Sequence, residues 1–75
     1  MSSDYGIPAA DLALLDERNA RFTREHGCTP EMHDWNRIQR IRSYFWYTEY
    51  PNRLEFERLL KDSDAAWKRM VGSTQ

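Results

Sequence analysis

The chain has 75 residues, twelve acidic and eleven basic side chains and a formal net charge of -1, which allows one domain with a thin core and gives no whole-molecule steering toward nucleic acid or anionic lipid. Its single cysteine, Cys28, cannot form an internal disulfide, so the usual staple of a small exported domain is missing and a reducing, cytoplasmic setting is expected. No apolar run approaches the roughly 18 residues that span a bilayer, and no basic region precedes the short apolar stretch near the N-terminus, so neither membrane insertion nor export is expected.

Residues 1–7, MSSDYGI, are small, polar and glycine-containing, and read as a flexible lead-in with nothing to anchor them. A single helical domain is expected over 8–72, followed by a polar tail at 73–75. Pro8 suits the first position of a helix, and Leu12, Leu15, Phe22 and His26 then fall on one stripe. Gly27 stands where a left-handed cap would end that helix, giving a span of about 8–26.

The segment GCTPEM is a compact stop and restart. Thr29 can cap a second helix, Pro30 supplies its first residue and Glu31 lies near the positive end of its dipole. Over 30–48 this helix places Trp35, Ile38, Ile41 and Phe45 in one arc as its core face. Pro51 disfavours helical geometry at Tyr50 and ends the run. The third segment, about 52–71, has the clearest pattern, with Phe56, Leu59, Leu60, Ser63, Ala66, Trp67, Met70 and Val71 at three-four spacing. Its other face pairs Glu57 with Lys61 and Asp64 with Lys68, and Gly72 marks its end. The predicted class is therefore all-α: a small three-helix bundle, or a helical hairpin with a short N-terminal helix.

The stretch SYFWYTEYP interrupts an otherwise ordinary composition with four adjacent aromatic residues, Tyr44, Phe45, Trp46 and Tyr47, and a fifth at Tyr50. These residues favour strands, but a strand here would have no partner elsewhere in the chain. On a helix, with Phe45 turned inward, Trp46 flanks the core while Tyr44 and Tyr47 fall on the far side, beside His33, Arg37 and Arg40. That face can be covered by a neighbouring helix, with each tyrosine ring laid on the bundle. Left open, it joins arginine to tyrosine in the manner of a protein–protein hot spot, or of a surface that contacts phosphate and stacks bases.

Other constellations are weaker. His26, Cys28, His33 and Asp34 are all metal-ligand types, but their spacing fits no zinc pattern, and no metal or cofactor is expected. The same cysteine and histidines lack the pocket and the oriented third group that a thiol nucleophile needs, so no enzyme is expected. A helix-turn-helix centred on Gly27–Pro30 would put Glu31 and Asp34 where base-reading residues sit, and phosphate repels both. The sequence thus points to a small accessory subunit, adaptor or inhibitor that binds a larger protein partner, itself or both. The expected contact residues are Arg37, Arg40, Tyr44, Trp46, Tyr47 and Tyr50. A small nucleic-acid-binding regulator using the same residues is the second reading.

Overall fold

The computed structural model describes residues 5–48 and 52–73, with only the backbone of Ser73. These form three helices, α1 (Ala9–His26), α2 (Pro30–Thr48) and α3 (Arg53–Ser73), and no strand, so the described part of SYFWYTEYP is helical. Pro8 lies one position earlier than expected, as the N-cap whose carbonyl accepts the first helical hydrogen bond from Leu12 at 3.0 Å. Gly27 closes α1 at φ 63°, ψ 40°, a geometry that disfavours any residue with a Cβ, and Gly27 and Cys28 both donate to the Thr23 carbonyl. Thr29 caps α2 by accepting from the Met32 amide at 3.2 Å, and Asn52 caps α3 by accepting from Glu55 at 3.1 Å. Gly72 keeps a right-handed φ, so α3 runs on through Ser73 where a polar tail was expected.

The second helix is the centre of the bundle. It packs against α1 on one side and α3 on the other, while the Cα atoms of α1 and α3 nowhere come within 8 Å of one another among the described residues. Ile38, Ile41 and Phe45 of α2 meet Leu59 and Ala66 of α3 in the core, with Leu12, Leu15, Trp35, Tyr44 and Phe56 packed around them. Ser63 is also buried, where its hydroxyl accepts from Gln39 at 3.1 Å.

Two residues ahead of α1 complete that core, which corrects for residues 5–7 the expectation that nothing anchors the lead-in; residues 1–4 lie outside the described residues. Tyr5 and Ile7 are only 4% and 3% exposed. A turn at Tyr5 and Gly6, with φ 56° and 76°, folds the segment back onto the helices. Holding a tyrosine in this left-handed region costs roughly 1–2 kcal/mol, and burial of an aromatic ring offsets a cost of that size. The Tyr5 hydroxyl donates to Asp62, and the Arg58 guanidinium sits 4.7 Å from the ring centroid. Burial and the neighbouring Asp62 carboxylate push the phenol up to about 12, so it remains a protonated donor at neutral pH.

The junction of α1 with α2 is polar at its centre. Asn19 is fully buried, its amide nitrogen donating to the His33 carbonyl at 3.1 Å and its amide oxygen accepting from Arg40 Nε at 3.3 Å. Both ends of one buried amide are thus used to hold the second helix. Asn19→Ala is expected to cost about 1–3 kcal/mol, because it removes the buried amide's bonds to the His33 carbonyl and to Arg40 and leaves a small cavity between the helices. The exposed Leu14→Ala on the same helix should change stability by less than about 0.5 kcal/mol. Urea-denaturation midpoints of the two variants check this contrast.

Candidate functional site

The basic stripe of α2 has a neighbour in the folded chain. Arg37 Nε donates to Asp16 of α1 at 2.8 Å, in an ion pair whose arginine side chain is 25% exposed. Arg40 bonds Asn19 and lies 5.7 Å from the centroid of the Phe22 ring. The Tyr44 hydroxyl donates to Asp11 at 2.7 Å, while its ring packs against the core. His33 Nδ1 shares a 2.6 Å hydrogen bond with Thr23 Oγ1. Four rungs of an antiparallel ladder therefore run from Asp11–Tyr44 to Thr23–His33, and three of the six expected contact residues, Arg37, Arg40 and Tyr44, take part in it.

The next two residues behave differently. Trp46 is 81% exposed and Tyr47 84% exposed, although Phe45 between them and Tyr44 is in the core. Trp46 was expected to flank the core. The helical turn carries it beyond the contact with α3 instead, onto the side of α2 that neither helix covers. Trp67, read as core, is half exposed and leans on Trp35 with ring centroids 5.3 Å apart. Tyr50 lies outside the described residues.

Trp46 and Tyr47 stand on a face of α2 opposite the one closed by Tyr5 and Ile7. Two open grooves meet there, both lined by Gln39, Ser43 and Tyr47. One, of about 480 Å³, lies against α1, where Leu15, Arg18 and Phe22 form its far wall. The other, of about 430 Å³, lies toward α3 and includes Arg42, Trp46 and Phe56. Tyr47 is the ridge between them. No described residue lining either groove is a carboxylate, histidine or cysteine, so neither offers a general base or a strong metal ligand. A smaller cleft of about 190 Å³ beside Tyr5 mixes both signs of charge, with Asp34 and Asp62 facing Arg37 and Arg69.

The cysteine–histidine cluster is dispersed. His33 turns to Thr23, Cys28 lies 3.8 Å from the Asn36 amide, and no group of three or more metal-binding side chains forms among the described residues. No described helix is long and apolar enough to cross a membrane. No family model, curated protein or solved structure matches the chain.

The distinctive feature is thus a pair of large rings that fold stability does not require. Trp46→Ala and Tyr47→Ala should each shift stability by less than about 0.5 kcal/mol. Phe45→Ala, one residue away, should cost about 3–5 kcal/mol and unfold so thin a domain. Thermal melts of the three variants followed by circular dichroism make the comparison.

Proposed function

We propose that this chain is a small helical interaction module, an accessory subunit, adaptor or inhibitor, that binds a larger protein through the open face of α2. The observation that carries the reading is the adjacent exposure of Trp46 and Tyr47, at 81% and 84%, on a ridge between two grooves. Large rings on a rigid helix bury much area at small rotamer cost, which is why tryptophan and tyrosine dominate binding hot spots. The contact is narrower than the one expected from sequence. Arg37 supports it from behind by fixing α1 against α2, Arg40 and Tyr44 do the same while lining the groove on the α1 side, and the exposed rings lead the contact.

The same bonds weaken the nucleic-acid reading. Arg37 is already paired with a carboxylate, and Arg40 is held by Asn19 and Phe22. Phosphate binding gains affinity from each cation it engages, so removing two from the stripe lowers what the surface can offer.

A photo-crosslinking residue at Ser43, which lines both grooves, tests the proposal in cells that produce the protein, with the exposed Glu17 position on α1 as control. The expected result is a discrete protein adduct from position 43, absent from position 17 and lost on Trp46→Ala. Equal labelling at both positions, or an adduct that nuclease removes, would contradict it.

A further inference from the structure

The charge on the open face narrows the partner. Arg18, Arg40 and Arg42 line the two grooves, and among the described residues no carboxylate does. Asp11 and Asp16, the acidic residues hydrogen-bonded across the α1–α2 junction, are engaged by Tyr44 and Arg37. Arg40 is held by Asn19, which leaves Arg18 and Arg42, both exposed and neither in an ion pair among the described residues. One cation therefore stands on each side of the Tyr47 ridge. Arg42 is also four residues before Trp46, so the two project from the same side of the helix.

The shape narrows it further. With α1 and α3 on either side of α2 and apart from one another, the open face is a furrow parallel to the helix axis. From Asn36 to Tyr47 it extends about 16 Å at the usual helical rise, the length of some three helical turns. A helix laid along it would seat apolar side chains in both grooves, ridge against groove, and complete a four-helix arrangement.

We infer that this face receives an acidic amphipathic helix from a different protein, with its apolar row straddling Tyr47 and its flanking carboxylates pairing with Arg18 and Arg42. The inference rests on the interaction-module reading and specifies its partner. A second copy of this chain fits poorly, because a two-fold contact would set Arg18 and Arg42 against themselves across a patch whose described lining holds no carboxylate. Single-stranded nucleic acid fits poorly as well, since two unpaired arginines on a chain of net charge -1 neutralise few phosphates.

The test is a phage-displayed library of amphipathic helical peptides with randomised flanking positions, selected against the immobilised full chain. Recovered peptides are then titrated against the native chain, Trp46→Ala, Tyr47→Ala and the double variant Arg18→Glu/Arg42→Glu, each checked for helicity. A single-stranded oligothymidine and the unlabelled chain itself are run in parallel. The expected result is enrichment of Asp and Glu at the flanking positions, affinity lowered at least about thirtyfold by Trp46→Ala, and a loss of about tenfold or more in the double variant. Peptides that need the rings but carry neutral or basic flanks would overturn the acidic-helix inference and leave the interaction-module reading standing. Peptides indifferent to both Trp46 and Tyr47 would overturn the two together. Tighter ring-dependent binding of oligothymidine, or of the chain to itself, would replace the inferred partner with that one.

Discussion

One buried amide sets the arrangement of this small protein. Asn19 reaches from α1 to the backbone of α2 through its nitrogen and to Arg40 through its oxygen. The remaining rungs, Asp11–Tyr44, Asp16–Arg37 and Thr23–His33, follow from the register that this bond fixes. A seam of this kind contributes little net energy per bond, because each replaces a bond to water. Its effect is on specificity: a fully satisfied polar cluster penalises every register that leaves Asn19 unpartnered. The apolar energy lies on the other side of α2, where Ile38, Ile41 and Phe45 meet Leu59 and Ala66.

Once α1 is held on one side of α2 and α3 on another, two sides of the central helix remain. The chain closes the first with its own N-terminal turn, in which Tyr5 and Ile7 complete the core and the Tyr5 hydroxyl meets Asp62. Nothing in the described chain closes the second. Trp46 and Tyr47 project there, and the order of side chains along Tyr44–Tyr47 records the division: one ring braces α1, the next enters the core, and two face outward. Function, on this account, is the use of a face that the fold leaves uncovered. The arginines around it then set which partner fits.

The helical class was legible because local signals and periodicity agree: Gly27 at a left-handed cap, Thr29 as the cap of α2, and three-four spacing through α3. The fate of the basic stripe was not, because nothing in α2 itself says which neighbour will lie on it. Asp11, Asp16 and Thr23 look like solvated residues until α1 is placed in register. Asn19 was missed for a similar reason, as a polar residue within a helix resembles surface. Its position four residues after Leu15 and three before Phe22, on the apolar stripe, was the available signal. Tyr5 and Ile7 were masked by the small and polar residues around them. Trp46 lies one helical step from Phe45, and a step of about 100° separates core from solvent in a helix packed as thinly as this one.

The measurement that bears most directly on an uncovered functional face is light scattering of the purified chain, with acrylamide quenching of its tryptophan emission on the same sample. A monomer with red-shifted, readily quenched emission, much of it lost in Trp46→Phe, is the predicted result. A stable dimer with blue-shifted emission that acrylamide barely quenches would show that the chain covers this face with a copy of itself, and would contradict the account.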